Sequence, residues 1–266
     1  MHVCSAEDID HIQLPTMKES LDTGEKYHQI ESWPIIFPHK ILSFLFNNGM
    51  HIPQQAIDDY WRLNNGYGEP WAQDASLHGM VPLGIFGDSA VIKKEFGSLS
   101  VIGVTLSVVL WRPRATRLSR FLLFSFPAER EWKKHTMRVV MRHLTWSLNA
   151  CFEGTWPKND AYGTPLVRAP EGLLVPEGGL RFVTTEIRGD WQWHKKVWNF
   201  WNTSWNALNV CHLCGTRAVA EDPGDLYWTL RNNTWYDNEL DVQEFMDQKV
   251  PPKGICALDC FLARML

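Results

Sequence analysis

Between Met80 and Gly189 the apolar residues change their period, and the order of those changes limits the fold more than any other feature of the chain. "MVPLGIFGDSA" is an apolar run closed by Gly87-Asp88, and "SLSVIGVTLSVVLW" is rich in β-branched residues; both read as strands. "FLLFSFPA" reads as a third strand, stopped by Pro127. The period then becomes helical. Met137, Val140, Met141, Leu144, Leu148 and Cys151 fall on one face, and Gly154 marks the stop. After a Pro/Gly-rich loop over 155–179, "LRFVTTEIRGDW" is a fourth strand with Asp190 at its end, and "WQWHKKVWNFWNTSWN" has helical spacing.

Strand, strand, strand, helix, strand, helix is the order of an RNase H-like core. The expected class is therefore α/β (α+β), a mixed sheet with flanking helices. In that topology the first and fourth strands lie side by side, which would bring Asp88 and Asp190, each read as ending its strand, to one edge. Carboxylates gathered at one point repel and require a cation. Oxygen ligands of this kind suit Mg²⁺ or Mn²⁺. Two such ions roughly 3.5–4 Å apart can activate a water and stabilise the leaving oxygen in phosphodiester cleavage. An Asp after Gly at a strand end also serves as a turn residue or helix N-cap, and that plainer role stands beside the catalytic one.

The flanks divide the chain further. Residues 1–29 are polar and acidic and read as a poorly ordered lead-in. Residues 30–77 read as a helical N-terminal region, because "FPHKILSFLFNNG" and "PQQAIDDYWRLNNG" each end in an Asn-Gly signal. The core is expected over 78–210 and a cysteine-containing segment over 211–266. The longest apolar run, Ser98 to Trp111, is too short to cross a bilayer, so no membrane partner is expected. "MHVCSAEDIDH" lacks a basic and then apolar leader, so the expectation is an intracellular protein of nucleus or cytoplasm, not a secreted one. The sequons at Asn202 and Asn232 are then accidental.

Charge is distributed unevenly along the chain. Residues 1–80 hold 4 Lys/Arg against 11 Asp/Glu, and 221–266 hold 4 against 9. Between them, residues 112–142 hold 9 Lys/Arg against 2 Glu. A basic block between acidic flanks can track a phosphate backbone, which makes Arg112, Arg114, Arg117, Arg120, Lys133 and Lys134 candidate DNA contacts. A solvated amphipathic helix is the alternative.

Cys211-His-Leu-Cys214 has the spacing of a zinc knuckle, and Cys256 with Cys260 could complete a four-cysteine structural Zn²⁺ site. Redox use of this Cys-x-x-Cys is not supported, since no thioredoxin-like βαβ unit surrounds it. Trp191, Trp193, Trp198, Trp201 and Trp205 give the preceding helix an aromatic face, suited to core packing or to stacking on unpaired bases.

"VPLGIFGDSA", "EIRGDWQWHKKVWNF" and "NVCHLC" together resemble eukaryotic cut-and-paste transposases with an RNase H-like DDE core, especially Plavac-type and related cysteine-bearing families. The resemblance covers about residues 78–215. It implies metal-dependent cleavage or joining of DNA strands, with Asp88 and Asp190 as catalytic metal ligands. It also implies a third acid beyond the cysteines. Glu239, Asp241, Glu244 and Asp247 are available there, and none matches the pattern well enough to be assigned. A truncated or inactive copy, a non-catalytic zinc-stabilised module binding protein or DNA, and assembly into an oligomer all stay open.

Overall fold

The computed structural model describes residues 9–20, 22–68, 70–94, 97–115, 118–167 and 170–190, together with Trp193 and Val197. The chain divides into two compact units, Met1–Arg188 and Gly189–Leu266.

The first unit begins with an antiparallel hairpin, β1 (Asp10–Glu19) and β2 (Lys26–Ile35). Within the described part of 1–29 this corrects the expectation of a poorly ordered lead-in. The local composition is polar, but Ile12, Leu14 and Thr16 alternate inward and are buried. Their partners are distant in sequence. The Thr136 hydroxyl donates to the Pro15 carbonyl at 2.5 Å, and the Trp33 indole N–H donates to the Ser125 carbonyl at 2.8 Å. An ion cluster adds to this: Glu31 takes Arg130, Lys18 and the Thr16 hydroxyl. A window of ten residues cannot show contacts made over such separations.

Two helices follow, α1 (Pro38–Asn47) and α2 (Gln54–Gly66). Pro38 opens α1, where a missing N–H costs nothing and its fixed φ suits the helix. Ile41, Leu42 and Phe46 form the buried stripe of α1, and Ile57 and Trp61 that of α2. Tyr60 of α2 donates to the Thr185 hydroxyl at 2.9 Å, which fastens this helix to the last strand of the sheet.

That sheet contains β3 (Val81–Lys94), β4 (Gly97–Val108), β5 (Phe121–Pro127) and β6 (Phe182–Gly189) in the order β5-β4-β3-β6. It is a mixed sheet in a mixed α+β protein. β3 and β4 pair antiparallel from Leu83↔Val108 to Lys94↔Gly97, and β4 pairs antiparallel with β5. Alternation decides which face is buried. Leu83, Ile85, Val104, Leu106 and Val108 share one face and are inaccessible to water, while Phe86, Asp88, Gly103 and Thr105 occupy the other. Gly84 is needed where β3 passes between its neighbours. A Cβ there would lie 2.7 Å from Ser107 Oγ and 3.0 Å from Glu186 Oε2.

Between β5 and β6 the chain forms α3 (Lys133–Glu153), 21 residues long. Its buried stripe runs through Met137, Val140, Met141, Leu144 and Leu148 to Cys151, as the helical period requires. Gly154 ends it in the left-handed region at φ 73°, donating to the carbonyls of Ala150 and Cys151. No helix among the described residues is long and apolar enough to cross a membrane.

Candidate functional site

Adjacent placement of β3 and β6 agrees with the order read from the sequence. Asp88, however, does not end its strand. β3 continues through Lys94, and Asp88 sits mid-strand opposite Gly103. The Gly87-Asp88 turn signal is overridden because every residue from Leu83 to Lys94 finds a cross-strand partner on β4. Asp88 is half-buried, and the position of a Cβ on Gly103 meets nothing within 4 Å. Its Oδ1 accepts the Ser89 N–H at 2.7 Å. Arg120 places its guanidinium 4.5 Å from the Phe86 ring centroid, on the Asp88 face.

Asp190 follows Gly189, the last residue of β6, and belongs to the second unit. Its Oδ1 accepts the Trp193 N–H at 2.6 Å, the contact an N-cap makes with the third residue of its helix. Trp193 and Val197 are helical, in keeping with the helix expected after this Asp. Each carboxylate thus accepts one backbone N–H through its Oδ1. Among the described residues no three His, Cys, Asp or Glu side chains are grouped to hold a metal. Cys211, Cys214, Cys256 and Cys260 lie outside the described residues, as do four of the five tryptophans before them.

The basic block is spread along β5. Arg112 and Arg114 are exposed in the connection before that strand, with Arg120 at its start. Arg117 lies outside the described residues. Lys133 and Lys134 open α3, beyond the strand and a short 3-10 turn, Ala128–Arg130. Seven residues of strand, about 23 Å at 3.3 Å each, separate the two groups.

A second feature has no counterpart in the sequence reading. A cavity of about 780 Å³ opens between the start of β1, the first turns of α1, the middle of α3, residues of the loop over 156–167 and Pro170. Phe37 lies nearly parallel to His39 (ring centroids 5.7 Å, 11°) and to His143 (6.4 Å, 14°). Trp146 meets Phe37 and His39 edge-on, Trp156 does the same to His39, and Tyr162 to His143. Lys40 closes one end in a 2.7 Å ion pair with Asp10.

The two histidines present different chemistry. The His39 backbone N–H donates to Ser147 Oγ at 3.0 Å, and its ring Nδ1 is 2.8 Å from the same oxygen. The serine oxygen, with two lone pairs and one hydrogen, can donate to Nδ1 or accept from it, so Nε2 is a donor in one tautomer and an acceptor in the other. His143 Nδ1 lies 2.8 Å from the Val139 carbonyl, which can only accept, so its Nε2 carries the lone pair. Burial and the neighbouring Lys40 charge push the His39 pKa down to about 3. Burial also lowers that of His143, so both rings are neutral at pH 7.

None of these side chains forms a recognisable motif. Their only signal is His143 and Trp146, three apart on α3 and off its apolar stripe. Comparison with protein-family models, with curated proteins and with solved structures gives no match.

Proposed function

We propose that this chain carries an RNase H-like core that acts on DNA, derived from or related to the cut-and-paste transposases it resembles. The observation that carries the proposal is the sheet order β5-β4-β3-β6, with α3 connecting β5 to β6. That order sets the strand bearing Asp88 beside the strand that leads into Asp190. The open space beside Gly103 on the Asp88 face is compatible with a ligand there. Asp88 and Asp190 are each proposed as a ligand to Mg²⁺ or Mn²⁺, as the resemblance implies, and the metal would supply charge neutralisation and an activated water. The chain's own contribution is to fix both carboxylates through the Ser89 and Trp193 amides.

A second reading is a non-catalytic module stabilised by zinc at Cys211 and Cys214. The capping bond of Asp190 favours it, because a capping carboxylate already has a structural task. Substitution separates the two. Asp88→Asn and Asp190→Asn retain shape and capping ability but lose the charge a metal needs. A nuclease loses Mn²⁺-dependent cleavage of labelled DNA in either variant while both keep the wild-type melting temperature. A wild type that neither cleaves DNA nor gains stability from Mn²⁺ leaves the module. Elemental analysis for zinc then tests the module directly.

A further inference from the structure

We infer that the aromatic cavity of the first unit is a binding site for a planar nitrogen heterocycle of the purine type. This inference does not depend on Asp88 or Asp190 and survives whichever function those residues serve.

The walls set the shape of the ligand. Phe37, His39 and His143 have nearly parallel ring planes, and Trp146, Trp156 and Tyr162 meet them edge-on. Flat π-faces with apolar edges favour a flat ring system, whatever its substituents. The volume of about 780 Å³ lies within the range of small-molecule sites and leaves room for a base with its sugar.

The polar groups set the chemistry. His143 offers a lone pair at Nε2, fixed by the bond its Nδ1 makes to the Val139 carbonyl, and His39 presents a ring nitrogen that can donate or accept with its tautomer. A heterocycle with a ring nitrogen next to an exocyclic amine supplies a donor for His143 and a partner for either tautomer of His39. Asp160, also on the lining, holds its Oδ1 against the Tyr162 and Thr164 amides, both at 2.8 Å. A phosphate group is a poor occupant. Lys40, the lining cation, is held by Asp10, and both histidines are neutral. Exposure marks the entrance: Tyr162 is 57% exposed and Val167 98%, both on the loop that borders the cavity.

The same base chemistry can arrive as a free nucleoside or as an unpaired base in a strand. Calorimetry with the full-length protein, using adenosine, single-stranded oligo-dA and an abasic oligomer of equal length, separates these sources. Binding of adenosine identifies the free nucleoside. Binding of oligo-dA without adenosine or abasic binding identifies the unpaired base. Tyr162→Ala removes an exposed ring and leaves the core intact, so a thermal melt should show an unchanged midpoint. It should weaken the binding by about tenfold, the factor that about 1.4 kcal/mol of stacking represents. Failure of both adenosine and oligo-dA to bind overturns the inference. Abasic binding equal to that of oligo-dA, or Tyr162→Ala binding as wild type does, overturns it equally.

Discussion

His39 shows how far a buried side chain departs from its solution behaviour. It is 2% exposed, and burial together with Lys40 lowers its pKa from 6.5 to about 3. The unfolded chain therefore takes up the proton first as the solution is acidified. The stability associated with neutral His39 is complete above pH 6.5 and is lost progressively as the pH falls toward 3. Between pH 7 and pH 5 that loss should reach about 2 kcal/mol, from a slope of about 1.4 kcal/mol per pH unit. His39→Gln removes the titrating group, so denaturant melts of the variant should lack this part of the pH dependence. An equal loss in wild type and variant would show that His39 does not titrate on unfolding. Nothing in "FPHKILSF" announces such a residue. A lone His at the start of a helix becomes special only when Ser147, more than a hundred positions away, supplies its hydrogen bond.

At the scale of the element, periodicity predicted what periodicity governs. Helix α3 was legible because its buried face repeats at 3.6 residues, and its end was legible because only Gly tolerates φ 73° cheaply. Gly154→Ala should cost about 1–2 kcal/mol, since its Cβ enters the left-handed region and lies 2.9 Å from Arg181 Cγ. Gly103→Ala is the control: its Cβ meets open space, and melts should differ from wild type by no more than about 0.5 kcal/mol. The hairpin β1–β2 was not legible, because its strands are largely polar, its apolar residues include the exposed Tyr27 and Ile30, and its packing is against distant α3 and β5. Leu14 is fully buried in it. Leu14→Ala should therefore cost about 2–5 kcal/mol, as deletion of a core side chain does. A change within about 0.5 kcal/mol on chemical denaturation would return residues 10–19 to the status of a lead-in. β3 makes the same point in the opposite direction: Gly87-Asp88 looks like a strand end until β4 pairs with it on both sides.

For the whole molecule, the basic block reads in the sequence as six residues on one surface, and the fold places the five that are described in two groups, before and after β5. Arg112, Arg114 and Arg120 lie before or at the start of the strand, and Lys133 and Lys134 follow its end. A single phosphate backbone following β5 from one group toward the other would run along about 23 Å of strand, or roughly seven phosphates of one strand at 3.4 Å each. Binding that uses both ends should fall steeply with salt, each contact contributing about −0.9 to the slope of log K against log salt. Replacing Arg112 and Arg114 by Gln should then flatten the slope by about 2. Lys133→Gln with Lys134→Gln should flatten it by the same amount, and the two effects should add in the fourfold variant. Contact at one end alone gives a different result, in which one pair flattens the slope and the other leaves it unchanged. An unchanged slope in both pairs assigns the block to an ordinary solvated surface. DNA contact, if it occurs, must then be made elsewhere in the chain. The measurement also bears on the proposed function, because a DNA-acting core with Asp88 on one sheet face needs cations that hold the strand near that face. Arg120, already seated over Phe86 there, is the residue whose single replacement by Gln should reduce the slope by about 0.9.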